Sequence, residues 1–234
     1  MKGSSMDIIR TENLEKIYQD NGVPVHALHA VSMNVQKGEF TVIAGPSGSG
    51  KTTLLNLVGA LHVPTTGKVY FEGEDVGTKS KRQLASLRLH KMGFVFQAYN
   101  LIPVLSALEN IEFTMMLLQI SERERKERAF ALMEELGIAE LAGKRPNKMS
   151  GGQQQRVAVA RAIVTNPSLV LADEPTANLD SATGGALLDL MEQMNREKNI
   201  TFVFSSHDPQ VIQRGRRLVL LRDGRIERES HAGS

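Results

Sequence analysis

Short apolar runs that end in glycine or polar residues recur along the chain and predict the strands of a buried sheet. Five runs have this form: Phe40 to Ala44, Gly93 to Phe96, Leu169 to Ala172, Thr201 to Phe204 and Leu218 to Leu221. Runs that are apolar on both faces are typical of mainly parallel sheets covered by helices, and helical patterns separate them here. We therefore predict an α/β fold with a mixed, mainly parallel core sheet.

Residues suited to chemistry follow four of these predicted strands. A glycine-rich loop follows the first, Gln97 follows the second, Asp173 and Glu174 follow the third, and His207 lies just beyond the fourth. Open α/β sheets bind ligands outside the carboxyl ends of their strands. The pattern therefore predicts one site at that edge of the sheet.

The remaining elements predict a single domain over residues 1–234 with an inserted helical part. Asp20-Asn21-Gly22 is typical of a hairpin turn and indicates an N-terminal antiparallel β piece. Residues 98–150 have a helical pattern, with Ser121 as a candidate N-cap, and predict an α-helical subdomain between core segments 1–97 and 151–234. The charged stretch Glu122 to Arg128 is interpreted as a solvated helix face.

Composition excludes several classes of function. The 28 Lys and Arg against 26 Asp and Glu leave a net charge of +2, so no nucleic-acid partner is expected. The absence of cysteine excludes disulfides and zinc-thiolate sites. No apolar run approaches the ~20 residues of a membrane span, and Met1 to Met6 lack the apolar core of a signal peptide. We expect a cytoplasmic protein unless a partner holds it elsewhere, with residues 229–234 frayed.

The glycine-rich loop has the composition of a phosphate-binding loop that opens a helix. Its backbone N–H groups are expected to surround phosphate oxygens, Lys51 to reach the terminal phosphates and Thr52 to bind Mg²⁺. The strand before it and the helical residues after it supply the structural context that such a loop requires. The candidate nucleotide-binding residues here are Gly45, Pro46, Ser47, Gly48, Ser49, Gly50, Lys51, Thr52 and Thr53.

The acidic pair after the third strand is predicted to serve the same nucleotide. Asp173 ends an apolar strand, where a carboxylate is poorly solvated unless it meets a cation, and this favours Mg²⁺. Glu174 would then polarise the attacking water. The structural alternative is an acidic pair that faces solvent.

A second anion site is predicted at the helix that follows Ser150. Ser150 resembles an N-cap, and Gly151 and Gly152 leave the first N–H groups of a helix over Gln153 to Val164 open to an anion. Since one loop already holds the triphosphate, the economical hypothesis is a γ-phosphate held by another copy, in a head-to-tail dimer that sandwiches two ATP molecules. Ordinary helix capping is the alternative.

Three single residues complete the candidate site. Gln97 lies where the chain leaves the sheet, and its side chain is placed to touch Mg²⁺ or water and report nucleotide state to the helical part. His207 is a candidate γ-phosphate contact, although a strand-end histidine is more often structural. Tyr18 is a candidate for stacking on adenine, or else a core or surface tyrosine.

The sequence also favours ATP over GTP. Asn147-Lys148-Met149-Ser150 lacks the acidic fourth residue of a guanine-binding motif, so ATP is preferred.

With these residues in place, the sequence resembles the ABC ATPase family over essentially its whole length. Gly45 to Thr52 matches Walker A, Gln97 the Q-loop, Ser150 to Gln153 the signature, Leu169 to Glu174 Walker B, Ala177 to Asp180 the D-loop and His207 the switch histidine. Met149 replaces the usual leucine before the signature serine. The resemblance implies that ATP binding closes a dimer and hydrolysis reopens it, with Asp180 at the dimer seam and the Gln97 region against a membrane partner.

A narrower similarity concerns the branch of this family. Gly93 to Pro103, Ala107 to Ile111 and the Leu28 to Val31 region resemble subunits that serve lipoprotein release, macrolide efflux and cell-division permeases. The resemblance implies an ATPase at the cytoplasmic face of the inner membrane, attached through integral-membrane permease subunits. Two alternatives stay open: a division-type complex that transmits force without moving cargo, and a soluble ABC ATPase that acts on nucleic acid.

Overall fold

The computed structural model describes residues 7–231 of the chain. The prediction that the first six residues form no signal peptide therefore lies outside the described residues. The strands are β1 (Asp7–Asp20), β2 (Val23–Gln36), β3 (Phe40–Ala44), β4 (Thr66–Phe71), β5 (Glu74–Asp75), β6 (Met92–Val95), β7 (Leu169–Asp173), β8 (Thr201–Ser206), β9 (Arg217–Arg222) and β10 (Arg225–His231). The helices are α1 (Lys51–Val58), α2 (Lys81–Lys91), α3 (Ala107–Leu117), α4 (Glu122–Glu135), α5 (Gly151–Ile163), α6 (Ser181–Lys198) and α7 (Pro209–Arg214).

Two sheets form the framework. One is antiparallel, in the order β2-β1-β4-β5, and the other has the order β10-β9-β3-β8-β7-β6. In the second sheet only the β9–β10 pair is antiparallel among the described strands. Both the mainly parallel core sheet and the separate antiparallel piece predicted from the sequence are confirmed.

The first hairpin turn follows from its two central residues. Asn21 has a φ of 49° and Gly22 a φ of 82°, so both occupy the left-handed region that a type I′ turn requires. Asn and Gly are the residues that tolerate this conformation best. The turn predicted at Asp20-Asn21-Gly22 is confirmed.

The six-stranded sheet is buried on both faces because its strands alternate between two apolar clusters. Phe40 and Val42 face the cluster that includes α3, α4, α5 and α6. Ile43, Leu171 and Val203 face the other cluster, which also contains residues of α1 and the antiparallel sheet. This two-sided burial explains why the strands contain continuous apolar runs rather than an alternating pattern.

Residues 98–150 contain α3, α4 and short 3₁₀ turns, and their helices begin as the sequence indicates. Ser121 caps α4, its Oγ accepting a hydrogen bond from Glu124 N–H. Three ion pairs at i,i+4 spacing lie on the exposed charged stretch of α4. Its interpretation as a solvated face agrees with these positions.

One prediction was wrong. Glu229, Ser230 and His231 were expected to fray, but they pair with Val219, Leu218 and Arg217 in β9. The Glu229 carboxylate also accepts a hydrogen bond from the buried Arg217 guanidinium at 2.8 Å. The polar local sequence suggested disorder, but cross-strand pairing and this ion pair hold these three residues in β10. Residues 232–234 lie outside the described part.

Among the described residues, no helix combines the length and apolarity that crossing a membrane requires.

Candidate functional site

The loop between β3 and α1 presents backbone N–H groups at a helix start. Gly50 is the N-cap of α1 with a φ of 100°, and α1 has no side-chain cap. A Cβ on Gly50 would lie 2.5 Å from the carbonyl oxygen of Ala27, so only glycine fits the conformation and the close approach together. The first N–H groups of α1 therefore remain directed outward, where an anion is favoured.

A close contact also restricts Gly45. A Cβ there would lie 2.1 Å from the Leu221 carbonyl oxygen and 2.8 Å from Ser49 Oγ. Leu221 is buried in β9, so its backbone cannot withdraw without disturbing the sheet. The requirement for glycine here arises from β9, far along the sequence.

We expect Gly45→Ala to destabilise the fold by about 1–3 kcal/mol, because the added carbon overpacks the β3 and β9 contact. Gly143→Ala is the matched control, since a Cβ at Gly143 has nothing within 4 Å. The control is expected to shift stability by no more than about 0.5 kcal/mol. Denaturant unfolding of both variants measures this difference, and equal stabilities would contradict the close approach at Gly45.

Lys51 directs a buried ammonium group toward the mouth of the loop. Its Nζ donates to the carbonyl oxygens of Gly45 at 2.8 Å and Pro46 at 3.0 Å. Phosphate oxygens are stronger, charged acceptors for the same group. The ammonium is thus held where a triphosphate lying in the loop would meet it.

Residues from five separate segments surround a cavity of about 460 Å³ over this loop. Gln97, Glu174 and His207 come from three strand ends, as the sequence predicts. The loop and α1 contribute Ser47, Gly48, Gly50, Lys51, Thr52 and Thr53, while Val25, His26 and Ala27 come from β2 and Ala177 follows Glu174. Gly45, Pro46 and Ser49 shape the loop behind this lining.

Thr52 and Asp173 bring two oxygen atoms together at the edge of the cavity. Thr52 Oγ1 donates to Asp173 Oδ1 at 3.1 Å. The described residues contain no cluster of three or more His, Cys, Asp or Glu side chains arranged for a metal. One hydroxyl and one carboxylate suit Mg²⁺, which is commonly bound by one or two carboxylates together with substrate phosphates.

Glu174 is positioned by β8 and by its own backbone. Its N–H donates to the Ser205 carbonyl at 2.8 Å, and its φ of 46° turns the residue out of β7. Glu174 Oε2 accepts from Ser206 Oγ at 2.9 Å, and Oε1 lies 2.7 Å from His207 Nδ1. Since an ionised carboxylate only accepts hydrogen bonds, the His207 proton belongs on Nδ1. The Glu174 side chain is 14% exposed, which leaves limited access for water.

Gln97 is tied to the segment that follows Glu174. Asn178 Nδ2 donates to the Gln97 carbonyl oxygen at 2.9 Å. Just beyond, Arg161 of α5 donates to the carbonyl oxygens of Tyr99 at 3.0 Å and Asn100 at 2.6 Å. Hydrogen bonds therefore connect the Gln97 segment to α5, the helix that Ser150 caps.

Ser150 caps α5, and the sequence-predicted residues around it lie outside the cavity lining. Ser150 Oγ accepts from Gln153 N–H at 3.3 Å, and Gln153 Oε1 accepts from Ser150 N–H at 3.0 Å. This capping box leaves the N–H groups of Gly151 and Gly152, at the first two helical positions, without intrahelical acceptors. The helix begins two residues earlier than predicted, at Gly151.

Close packing within the chain also favours glycine at both of these positions. A Cβ on Gly151 would lie 2.7 Å from the Tyr99 hydroxyl oxygen, and one on Gly152 would lie 2.4 Å from Thr183 Cγ2. The sequence interpretation attributed the paired glycines to an open anion site alone. The structure adds close packing against the Gln97 segment and α6.

Asp180 caps α6 and lies outside the cavity lining. It accepts hydrogen bonds from Ala182 N–H, Thr183 N–H and Thr183 Oγ1 at 3.1, 2.9 and 2.6 Å. The hydrogen bond from the Thr183 hydroxyl, followed by the backbone N–H bonds, holds the pKa of Asp180 below its usual range. Because Thr183 also packs against Gly152, Asp180 and the Ser150 segment belong to one surface region.

Tyr18 is also not part of the cavity lining. Its hydroxyl lies 3.2 Å from His62 Nδ1, and the Lys16 ammonium lies 5.1 Å from its ring centroid. The sequence analysis does not predict Ser206, which donates to Glu174, or the β2 residues Val25, His26 and Ala27 of the cavity lining. Ser206 precedes His207 at a strand end, a signal that was available, whereas the sequence offers no signal for His26.

The fold and this cavity define a P-loop protein built to hold and hydrolyse a nucleoside triphosphate. The family model described as "ABC transporter" matches residues 28–177. The chain belongs to the ABC transporter family and is an ATPase domain of that family.

Similar proteins include whole transporters and separate cassettes. The chain is 45% identical over 229 residues to the macrolide export ATP-binding/permease protein MacB of Syntrophobacter fumaroxidans, covering 97% of this chain and 32% of that protein. It is 49% identical over 212 residues to an uncharacterised ABC transporter ATP-binding protein of Thermotoga maritima, covering 91% and 90% of the two chains. The chain thus spans about a third of the first relative and most of the second.

A solved structure covers nearly the whole chain. It is the dimeric, post-hydrolysis state of the ATP-binding cassette MJ0796 bound to ADP and Pi, a protein of Methanocaldococcus jannaschii. It superimposes with a TM-score of 0.91 at 41% identity, covering 97% of this chain and 99% of that chain. The fold class predicted from the sequence is confirmed by this match.

Proposed function

We propose that this chain is the ATP-hydrolysing subunit of a transporter. Two copies of the subunit form a head-to-tail dimer when they bind ATP, and this dimerisation drives a separate membrane permease. The observation that carries the proposal is the convergence of Lys51, Glu174, His207 and Gln97 on one cavity, while the Ser150 helix start lies outside it. When the loop of one chain holds a triphosphate, the γ-phosphate would be accessible to the Ser150 segment of a second chain.

In this proposal each cavity residue has a distinct role. The loop N–H groups and Lys51 hold the phosphates, and Glu174 accepts a proton from the attacking water. His207 orients the Glu174 carboxylate through Nδ1 and contacts the γ-phosphate. Thr52, Asp173 and the Gln97 side chain would hold Mg²⁺, which when bound neutralises charge that develops on the phosphate oxygens.

The dimer is supported by the exposed position of the Ser150 segment and by the cassette MJ0796, whose structure is dimeric with ADP and Pi. The free N–H groups of Gly151 and Gly152 are suited to an anion supplied by a second copy. Asp180, linked to the same region through Thr183 and Gly152, would then lie at the seam.

The permease partner is proposed to be of the lipoprotein-release or macrolide-efflux type. The similarity to MacB, whose name includes a permease, supports this branch. A second cavity of about 410 Å³ lies beside the Gln97 segment and is lined by Leu89, Phe94, Phe96, Asn100 and Arg161, among others. We infer that the permease contacts this surface at the cytoplasmic face of the inner membrane. A force-transmitting complex without cargo, or a soluble ABC ATPase acting on nucleic acid, are the competing functions.

Affinity capture from detergent-solubilised membranes of the source cell, with ATP present, tests the partner. We expect a permease with few membrane spans and a large outer domain to co-purify with the Glu174→Gln variant, because slow hydrolysis preserves the closed dimer. Lys51→Ala, which is expected to lose the nucleotide, is the matched control and should recover less.

The outcomes separate the alternatives. A many-span permease would contradict the branch and leave the ATPase assignment intact. Recovery of ribosomes or DNA-bound material, in amounts that fall steeply with salt, would favour the nucleic-acid function instead. No membrane protein with either variant would contradict the transporter proposal.

A further inference from the structure

One buried amide side chain of α5 contacts two of the segments that form the phosphate-loop cavity. Gln155, the fifth residue of α5, is fully buried. Its Nε2 donates to the Pro175 carbonyl oxygen at 2.7 Å and to the Phe96 carbonyl oxygen at 3.4 Å. Pro175 directly follows Glu174, and Phe96 directly precedes Gln97. Gln155 is therefore bonded beside two residues that are proposed to act on the nucleotide, although it has no role in the chemistry described above.

The neighbours of Gln155 determine the orientation of its amide. Both contacts are carbonyl oxygens, which only accept hydrogen bonds, so the amide nitrogen must face them. The Phe96 oxygen also accepts from Tyr99 N–H at 3.1 Å, whereas the hydrogen bond to Pro175 is the shorter of the two that Gln155 donates. Gln155 therefore holds the Glu174 side of the cavity more firmly than the Gln97 side.

The backbone that Gln155 holds follows an unusual turn. Glu174 has a φ of 46°, which lies in the left-handed region that residues other than glycine seldom adopt and that the surroundings must maintain. On one side, Glu174 N–H donates to the Ser205 carbonyl oxygen at 2.8 Å. On the other side, Gln155 holds the Pro175 carbonyl oxygen. The backbone is thus anchored on both sides of Glu174, by β8 and by α5.

Folding stability does not by itself account for an amide at this position. Gln155 Oε1 is buried and accepts no hydrogen bond from the described residues. A buried carbonyl without a partner is unfavourable and offsets what the donated hydrogen bonds contribute. An apolar side chain would remove this unpaired carbonyl and would leave the Pro175 carbonyl without its donor, so the two effects on stability oppose each other. The main consequence of the amide is therefore the position in which it holds the backbone.

We propose that Gln155 is a positioning residue that holds the Glu174 carboxylate in place relative to Gln97 and so links α5 to the hydrolytic step. This inference rests on the roles proposed above for Glu174 and Gln97. Gln155 is not among the residues that line the cavity, so it acts through these two residues. Misplacing a reacting group by about 1 Å costs on the order of 10²-fold in rate. Lys51 and the phosphate loop are not held by Gln155, so ATP binding does not depend on it.

Steady-state phosphate release separates positioning from binding. We expect Gln155→Met, which keeps an unbranched side chain but has no donor, to lower kcat by about 10–10²-fold. The KM for Mg²⁺-ATP and the ATP affinity measured by calorimetry should stay within about twofold of the unchanged chain. Such a split indicates an interaction that matters in the transition state rather than in ground-state binding. Denaturant unfolding should show little change in stability, because one unpaired carbonyl replaces another.

Asn195→Leu is the matched control for the loss of a buried amide. Asn195 is 3% exposed, and its Nδ2 donates to the Ile200 carbonyl oxygen at 2.7 Å, but neither residue lines the cavity. This variant should lose stability, while its folded fraction keeps kcat within about twofold of the unchanged chain.

The outcomes distinguish positioning from a purely structural role. An unchanged kcat in Gln155→Met would overturn the inference, and so would a fall in kcat that only matches a loss of folded protein. A rise in KM at constant kcat, or an equal fall in kcat in Asn195→Leu, would also overturn it. Absence of ATP turnover in the unchanged chain would instead contradict the proposed function itself.

Discussion

Replacement of Glu174 by glutamine is expected to lower ATP turnover by about 10²–10⁴-fold, the usual effect of removing a positioned base. Glutamine is nearly isosteric and still accepts a hydrogen bond from Ser206 Oγ, but its amide cannot take a proton from water. Lys51, Thr52 and the loop N–H groups are unchanged. ATP binding should therefore persist while chemistry is lost.

Phosphate release and ATP affinity, measured on the same preparation, test this expectation. Sedimentation should also detect an ATP-dependent dimer, since bound ATP is no longer consumed. Glu227→Gln is the matched control, because Glu227 forms an exposed ion pair with Arg222 on the surface. Turnover within about twofold of the unchanged chain in Glu174→Gln would remove Glu174 from the role of base, as would an equal loss in the control.

The sheet and the phosphate loop are predictable from the sequence because local patterns specify them. Each central strand is a continuous apolar run, and each is followed by a polar or glycine residue that the fold brings to one edge. The Asn21-Gly22 turn and the Ser121 cap are equally local, since each depends on the conformational or hydrogen-bonding preference of one or two residues. The local sequence is therefore sufficient to predict these elements.

Contacts between distant segments were not predictable in this way. The steric requirement at Gly45 comes from Leu221, and the requirement at Gly152 comes from Thr183. The pairing of Glu229, Ser230 and His231 with β9 depends on a strand partner rather than on apolar sequence. His26 enters the cavity because β2 passes beside α1, a tertiary relation that no pattern around His26 reports.

A mixture of two inactive variants is expected to recover activity if the active dimer is head-to-tail. Lys51→Ala disables the phosphate loop, and Ser150→Asp places a negative charge where the γ-phosphate of the other chain would lie. Aspartate is as good an N-cap as serine, so α5 should keep its start. Each variant alone should lose ATP turnover on the order of 10²-fold, the effect of losing a preorganised charge or donor contact.

Equal amounts of the two variants form heterodimers in which one composite site has both defects and the other has none. Random pairing makes half of the dimers mixed, so turnover should recover to about a quarter of the unchanged chain if the two sites act independently. Different affinity tags on the two variants confirm that mixed dimers form, and phosphate release measures their activity.

Ser80→Asp is the matched control for the added charge, because Ser80 caps α2 in the same type of capping box with Gln83. It should retain normal turnover, since α2 starts away from both proposed phosphate contacts. Mixed dimers that stay as inactive as the separate variants would contradict a site shared between chains. Full activity of Ser150→Asp by itself would show that the α5 start only caps a helix, because a carboxylate beside the γ-phosphate could not be tolerated.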